Sequence, residues 1–198
     1  DWMENKEVYI VSGGTFERIL GQVGVDVIDK TSGVFACMGN VFLQKPELAS
    51  KTGFNEWELI YENKFVSPKN LTRRLDAIVT KSEFSIKTGR HHEERVGMVN
   101  FSIVGRNANQ EQRKEYELWD SEREERKEIV SKLKQKYKTL DFVIGGAVSI
   151  DIFNRGNDKS QIINKYFKEA LEHSQIHFVG DRIPFPGNDY PLAEKLKE

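Results

Sequence analysis

The chain has 198 residues, with 30 basic and 31 acidic side chains and a net charge of −1, a length that fits one large domain or two small ones. The balanced charge gives no general attraction to nucleic acid or anionic lipid, so a nucleic-acid partner is disfavoured. The single cysteine, Cys37, excludes an internal disulfide and favours a reducing, cytoplasmic location. No apolar run approaches the roughly 20 residues of a membrane helix, so no membrane partner is expected.

The two ends of the chain read as strand and helix units. Residues 8–11 form a short apolar, β-branched run that ends at Ser12-Gly13-Gly14, and a helical pattern follows from Thr15. Near the C-terminus, Asp158 is placed to cap a helix, and a strand at 176–179 follows it. Helices that alternate with apolar strands predict a doubly wound, mostly parallel α/β core sheet.

The middle of the chain groups its elements differently. Helical patterns cover 68–78 and 109–137, and strand patterns cover 98–104 and 140–152, the latter interrupted by two glycines. This grouping predicts an α+β module with an antiparallel sheet, inserted into the α/β core. We therefore assign 1–50 and 156–198 to the core domain and 51–155 to an inserted cap domain that acts as a lid.

Two segments are candidates for binding a phosphate group. Ser12-Gly13-Gly14 lies where a strand meets a helix N-terminus, so N–H groups and a hydroxyl converge there, although such turns are structural about as often. Lys159 falls in the first turn of the predicted helix, where a cation is unfavourable unless it faces an anion. The alternative is a solvated surface lysine. Neither Walker A nor G-x-G-x-x-G spacing is present, so a nucleotide site is not indicated.

Polar residues after the last predicted strand are candidates for binding a metal ion. Asp181 ends that strand, and Asn188 and Asp189 follow a turn, at the edge where α/β sheets bind ligands. Hard oxygen ligands of this kind suit Mg²⁺, which takes one or two carboxylates together with a substrate phosphate. The alternative is an Asx-rich turn with no ligand.

Five residues of the middle segment are candidates for substrate binding. Arg95, Arg106 and Arg113 lie on or beside one strand-to-helix segment, and guanidinium groups can hold phosphate with two hydrogen bonds. Ser149 and Asp151 alternate with apolar residues, so they share one face of a strand and could bind sugar hydroxyls. In each case the alternative is a solvated face.

These motifs also occur together in one order along the chain. They read GMVNFSIVGR (97–106), QEQR (110–113), GGAVSIDIF (145–153), GNDK (156–159), FVGD (178–181) and PGND (186–189). In this order they resemble the eukaryotic-type phosphomannomutases of the haloacid dehalogenase superfamily, over residues 8–190. The resemblance implies a Mg²⁺-dependent enzyme that interconverts mannose 6-phosphate and mannose 1-phosphate through an aspartyl-phosphate. It also implies a hexose 1,6-bisphosphate activator, a role in GDP-mannose synthesis and a homodimer formed through the cap.

The resemblance assigns a role to each candidate residue. Ser12, Gly13 and Gly14 would cradle the transferring phosphoryl group, and Lys159 would neutralise its charge. Asp181 would hold Mg²⁺, supported by Asn188 and Asp189. The other phosphate of the substrate would bind Arg95, Arg106 and Arg113, and the sugar hydroxyls would bind Ser149 and Asp151.

The nucleophile of the superfamily is missing from the printed sequence. The D-x-D-x-T motif, which carries the nucleophile and the acid/base aspartate, does not occur in the 198 residues. It would precede Ser12 by about one βα unit, roughly 30 residues, so we expect the native polypeptide to be longer at its N-terminus. Two alternatives stay open, a capped sugar-phosphate phosphatase and a catalytically dead sugar-phosphate-binding homologue.

Overall fold

The structure, a computed structural model, describes residues 3–45, 57–173 and 175–197. The strands are β1 Tyr9–Val11, β2 Gly33–Ala36, β3 Val41–Gln44, β4 Glu58–Glu62, β5 His92–Arg95, β6 Met98–Phe101, β7 Leu140–Gly145 and β8 Ser149–Asn154. The α-helices are α1 Phe16–Val23, α2 Val25–Ile28, α3 Leu71–Lys81, α4 Gln110–Arg123, α5 Glu125–Lys136, α6 Gln161–Tyr166, α7 Lys168–Glu172 and α8 Tyr190–Lys195.

The first sheet has the order β1-β2-β3-β4 and is mixed. Strands β1 and β2 are parallel and are connected through α1, as the sequence predicts, but β2, β3 and β4 pair antiparallel. The expectation of a mostly parallel sheet is therefore wrong for the described residues. The reason is the short connection between β2 and β3, because parallel neighbours need a crossover of a dozen or more residues. Since β4 pairs with β3, this sheet extends past residue 50.

A strained turn makes the connection between β2 and β3. Cys37, Met38 and Gly39 all have left-handed φ angles, of 50°, 64° and 83°. Only glycine adopts this conformation without steric cost, so the cysteine and the methionine must be held there by their surroundings. Both side chains are buried, and burial raises the pKa of the Cys37 thiol to about 11.

The second sheet has the order β5-β6-β8-β7 and is antiparallel throughout, as predicted for the middle of the chain. One face packs against α3, α4 and α5 through a cluster that includes Leu75, Val99, Tyr116, Leu133 and Ile152. This cluster is the largest of three hydrophobic clusters among the described residues. It fixes the strands that carry the candidate substrate-binding residues.

The opposite face of the second sheet packs against the first sheet. Met98 and Phe153, which are directly opposite each other on β6 and β8, are fully buried. They belong to one hydrophobic cluster with Ile19, Val34 and Met38. The polar residues on the same face of β6 and β8 are thereby directed toward the turn that follows β1.

The predicted strand at 176–179 is not formed. Ile176 and Phe178 pack against a hydrophobic cluster that includes Ile162 and Ile163 of α6. Within the described part of the chain no strand lies beside them, and Val179 is 86% exposed. A strand exists only where a second strand takes up its backbone hydrogen bonds, and an apolar pattern alone does not supply that partner.

Two helix predictions also differ from the structure. The pattern over 109–137 is two helices, because Glu124 has a left-handed φ of 54° between α4 and α5. The helix predicted from Asp158 begins at Gln161, so Lys159 precedes it. Within 3–45, 57–173 and 175–197, none of the helices combines the length and apolar character needed to span a bilayer.

Thr15 caps α1, the helix that follows the Ser12-Gly13-Gly14 turn. Its hydroxyl accepts a hydrogen bond from the Arg18 N–H at 3.4 Å. We expect Thr15→Ala to lower the free energy of unfolding by about 1 kcal/mol, or about 2–4 °C in Tm, as is typical of a lost N-cap. Thermal unfolding followed by circular dichroism measures this. Thr72→Ala, inside α3 and exposed, is the matched control and should not lower Tm.

Candidate active site

The register of the second sheet brings polar residues of three strands into one row. Glu93 on β5 lies opposite Asn100 on β6, and Asn100 lies opposite Asp151 on β8. Side chains directly opposite each other on neighbouring strands are in contact distance. Asn100 Nδ2 accordingly donates to Asp151 Oδ1 at 2.7 Å. A polar row therefore runs over three of the four strands on the face that is directed toward the first sheet, and it ends at Val143 on β7.

Glu93 holds two arginines at one end of this row. A single carboxylate oxygen, Oε2, accepts from Arg95 Nη2 at 2.6 Å and lies 2.9 Å from Arg106 Nη2. Arg106 Nη1 also donates to Asn100 Oδ1 at 2.8 Å. The Arg95 and Arg106 side chains are only 6% and 13% exposed. Charge-assisted pairs of this kind fix the orientation of a guanidinium before any ligand binds.

More positive charge surrounds Glu93 than one carboxylate neutralises. Burial lowers the pKa of Arg106, and the neighbouring charges of Arg95, Arg18 and Arg113 lower it further, against the opposing effect of Glu93. Burial alone would raise the pKa of Glu93, but the hydrogen bond and charge of Arg95, with the charges of Arg106 and Arg18, lower it overall. The cluster thus has excess positive charge that an anion would stabilise.

The Ser12-Gly13-Gly14 turn is tied to the strained turn 37–39. Met38 N donates to Ser12 O and Cys37 N donates to Gly14 O, both at 2.8 Å. The Ser12 hydroxyl accepts from Gly14 N at 3.1 Å, which leaves its own proton available to a ligand. Arg95 Nη1 donates to Gly13 O at 2.7 Å, so this arginine joins the second sheet to the turn.

Asp151 lies between the second sheet and this turn, and it is buried. A Cβ at Gly13 would be 3.0 Å from Asp151 Oδ2, a tighter contact than a side chain normally makes, so Asp151 would have to shift by a few tenths of an ångström to admit it. Burial raises the pKa of Asp151, although hydrogen bonds from Asn100 and Asn188 and the charges of Arg95 and Lys159 oppose that increase. A carboxyl group in this setting can exchange hydrogen bonds with a neutral polar ligand.

Lys159 is a buried lysine and not a solvated one. Its Nζ is 2.5 Å from Asp189 Oδ1, and the two side chains are 7% and 3% exposed. Asp189 Oδ2 accepts the backbone N–H of Arg182 at 3.0 Å, so each oxygen of the carboxylate has a hydrogen-bond partner. Buried charges are retained in pairs because a lone one is costly.

Asp181 is the opposite case, because its side chain is 91% exposed. Among the described residues its one charged neighbour is Arg182, whose Nε lies 3.9 Å from Asp181 Oδ2. Asn188 is turned inward, where it hydrogen-bonds Asp151 and contacts Met38 Sδ at 3.9 Å. Among the described residues there is no group of three or more acidic, histidine or cysteine side chains placed to hold a metal ion. One open carboxylate, with a substrate phosphate and water, still fits the way Mg²⁺ is bound.

Comparison with known proteins places this arrangement in a family. The family model "Eukaryotic phosphomannomutase" matches residues 3–197. The chain belongs to the eukaryotic phosphomannomutase family. It is 36% identical over 189 residues to the phosphomannomutase of Dendrobium officinale, covering 94% of this chain and 71% of that protein. It is 32% identical over 185 residues to the phosphomannomutase of Saccharomyces cerevisiae, covering 92% and 70%.

The structure brings together most of the residues that the family resemblance singles out. Asp151 and Arg95 meet Gly13, as described above, while Lys159 meets Asp189. Arg113, in the first part of α4, donates from Nε to Ala108 O at 3.0 Å, and burial with the charge of Arg18 lowers its pKa. Ser149 is half-buried on the same face of β8 as Asp151. Asp181 stands apart, exposed on its own segment.

Several residues of the site carry no signal that our sequence analysis used. Glu93 and Asn100 are identified as site residues only by the register of β5 and β6, which places them opposite each other. Arg18 is different, because it is a basic residue in the first turn of α1 and its Cδ lies 3.6 Å from where a Gly14 Cβ would be. The argument applied to Lys159, a cation at the positive end of a helix, would have identified Arg18 as well.

Proposed function

We propose that this protein is a phosphomannomutase that interconverts mannose 6-phosphate and mannose 1-phosphate through an aspartyl-phosphate. The observation that supports this is that buried or half-buried cationic side chains lie at two places. Arg106 and Arg113 are close enough for the charge of one to lower the pKa of the other. Lys159 lies at the second place, and its charge acts on Asp151, which lies beside the Ser12 turn. A mutase needs both, because its substrate must bind in two orientations with one phosphate reacting and the other held.

The phosphate that does not react, here called the distal phosphate, binds Arg106 and Arg113. Arg106 and Arg113 are partly desolvated and surrounded by like charge, so a phosphate dianion relieves their repulsion. Glu93 keeps the guanidinium groups oriented before substrate arrives, which lowers the entropic cost of binding. Arg95, which already donates to Gly13 O, closes the site toward the reacting group.

The reacting phosphoryl group binds at the turn after β1. The hydroxyl of Ser12 and the Gly13 N–H donate to its oxygens, because the Ser12 and Gly14 N–H groups already donate to Phe35 O and to the Ser12 hydroxyl. Lys159 neutralises its charge. Phosphoryl transfer needs little besides such positioning and charge neutralisation. Ser149 and Asp151 bind sugar hydroxyls between the two phosphates. The buried carboxyl of Asp151 discriminates between sugars through its hydrogen bonds to these hydroxyls.

The nucleophile in this proposal is an aspartate that is not among the printed residues. The reaction requires a phosphorylated carboxylate beside Ser12 and Lys159, and the printed sequence contains no D-x-D-x-T motif. Asp181 would hold Mg²⁺, which supplies charge neutralisation for the phosphoryl group when bound. If the native gene encodes no such motif, the protein is instead a catalytically dead sugar-phosphate-binding homologue.

The remaining features of the proposal follow the family. We propose a hexose 1,6-bisphosphate activator, which phosphorylates the aspartate, and a product that serves GDP-mannose synthesis. We also propose a cytoplasmic homodimer assembled through the second sheet and the helices α3, α4 and α5 packed on it. These elements correspond to the cap inserted into a core of the haloacid dehalogenase type. Analytical ultracentrifugation tests the dimer.

The assay that tests the function supplies the native protein with mannose 1-phosphate, Mg²⁺ and a hexose 1,6-bisphosphate. Formation of mannose 6-phosphate that depends on the bisphosphate supports the mutase. Steady release of inorganic phosphate without activator would identify a capped sugar-phosphate phosphatase instead.

Arg106→Gln should weaken binding of the distal phosphate. We expect KM to rise by about ten- to a hundredfold, the usual cost of losing a charge-assisted hydrogen bond, with a smaller change in kcat. Arg113→Ala should have the same kind of effect. Arg123→Gln, exposed in α4, is the control and should leave KM unchanged. Unaltered kinetics in the Arg106 and Arg113 variants would remove these residues from the site.

A further inference from the structure

Three side-chain amides form a connected cluster beside the candidate active site. The amide cluster consists of Asn40 after the strained turn, Asn63 after β4 and Gln161 at the start of α6. Asn63 Nδ2 donates to Asn40 Oδ1 at 2.9 Å and to Gln161 Oε1 at 2.8 Å. Asn40 is fully buried and Gln161 is 5% exposed. Buried amides are retained only where their hydrogen bonds are made, so this arrangement is specific.

Gln161 uses every hydrogen-bonding position of its amide. Its Nε2 donates to Met38 O at 3.0 Å and to Asn157 O at 2.9 Å. Its Oε1 accepts from Asn63 and also from Lys165 Nζ at 3.0 Å. Since an amide has two donor and two acceptor positions, none is left over and the orientation of the group is fixed.

Asn40 continues the cluster toward the second sheet. Its Nδ2 donates to Cys37 O at 2.7 Å. Asn40, which follows the strained turn, is thereby bonded back to the first residue of that turn. Its Cβ lies directly against Gly97, at a φ of +72° in the turn between β5 and β6, where a side chain would clash with it. Asn40 therefore contacts the turn that follows Arg95.

Each segment touched by the amide cluster carries part of the site. Cys37 and Met38 hold the phosphate-binding turn through their N–H groups. Asn157 is two residues before Lys159, and Gly97 is two residues after Arg95. The strained turn needs such support, because Cys37 and Met38 occupy a backbone conformation that costs about 1 kcal/mol or more for each residue.

We propose that the amide cluster positions the Ser12 turn, Lys159 and Arg95 relative to one another, and that Gln161 is its central positioning residue. Gln161 does not touch the substrate. It acts through two hydrogen bonds, because its Nε2 donates to both Met38 O and Asn157 O and so fixes the distance between these two segments. Only the identity of the ligand used below rests on the proposed phosphomannomutase function.

Gln161→Glu is the informative variant because it keeps the size and both acceptors but loses both donors. Its carboxylate would face the carbonyl oxygens of Met38 and Asn157, which it repels. We expect the affinity for mannose 6-phosphate, measured by isothermal titration calorimetry, to fall about tenfold. We also expect hydrogen exchange of the Cys37 and Met38 N–H groups to accelerate at least tenfold, while exchange at Phe142 in β7 changes less.

Tyr166→Phe in the same helix is the matched control. It removes the hydrogen bond from Tyr166 to Gln44 Oε1, which does not involve the three site segments, and should change neither affinity nor exchange at Cys37 and Met38. Gln161→Met, which is apolar, should behave like Gln161→Glu and covers the case in which the glutamate variant does not fold.

Unchanged affinity in both Gln161 variants, or uniform acceleration of exchange throughout the chain, would overturn the proposal. The second result would reduce Gln161 to an ordinary contribution to stability. If the wild-type protein does not bind mannose 6-phosphate, the proposed function fails, and the exchange at Cys37 and Met38 alone decides whether the cluster holds the turn.

Discussion

Replacement of Lys159 by methionine should both destabilise the protein and lower its activity strongly. The loss of Nζ leaves the Asp189 carboxylate, 3% exposed, without its counter-charge. Breaking one partner of a buried ion pair costs about 3–5 kcal/mol, which urea unfolding at pH 7 measures. In the mutase assay we expect kcat to fall by about a hundred- to a thousandfold, the loss seen when one group that stabilises transition-state charge is removed.

A second substitution separates the two effects. Lys159→Met combined with Asp189→Asn removes both charges, and the asparagine Oδ1 can still accept the Arg182 N–H that Asp189 Oδ2 accepts now. We expect the double variant to recover most of the lost free energy of unfolding but none of the activity. Lys168→Met, exposed in α7, is the control for loss of a lysine. Recovery of activity in the double variant would show that Lys159 only serves to neutralise Asp189.

This pair also illustrates what a sequence can reveal about a site. A lysine near the positive end of a helix is a local electrostatic anomaly, and it predicts an anion beside Lys159. Its partner in the structure is Asp189, to which the family resemblance assigns support of the metal ion. Which anion meets a cation depends on residues 30 positions apart, and local rules do not contain that information.

The difference between local and distant interactions also explains which strands the sequence predicts correctly. Strands β7 and β8 were predicted because a glycine pair interrupts one apolar pattern, and a hairpin is a local structure. The segment 176–179 has an equally apolar pattern but no strand beside it in the described chain, because pairing is not local. Glu93 and the amide cluster were missed for this reason too, since a carboxylate or an amide is unremarkable until register and packing give it partners.

Replacement of Asp151 by asparagine should make the protein more stable and less able to bind substrate. The carboxyl is buried, and burial raises its pKa, so its ionised form destabilises the fold at neutral pH. Asparagine is neutral and keeps an oxygen that can accept from Asn100 Nδ2, now 2.7 Å from Asp151 Oδ1. We expect a gain of about 1–2 kcal/mol in the free energy of unfolding at pH 7, as when a functional group that destabilises the folded state is removed.

The pH dependence of this gain follows from the direction of the pKa shift. Because the folded pKa is above the unfolded value of about 3.9, the penalty of ionised Asp151 is complete above the folded pKa and disappears as pH falls from there toward 3.9. The stability advantage of Asp151→Asn should therefore be largest at neutral pH and vanish in acid. Urea unfolding between pH 4 and pH 8 measures it, with exposed Glu122→Gln as the control.

Binding should change in the opposite direction. If Asp151 binds sugar hydroxyls, the asparagine replaces a carboxyl oxygen near Gly13 with an N–H group, and the affinity for mannose 6-phosphate should fall about tenfold at pH 7. A variant that is both more stable and fully able to bind would show that Asp151 is a structural residue. A variant that is less stable would show instead that the charges of Arg95 and Lys159 outweigh burial, so that ionised Asp151 holds the two sheets together.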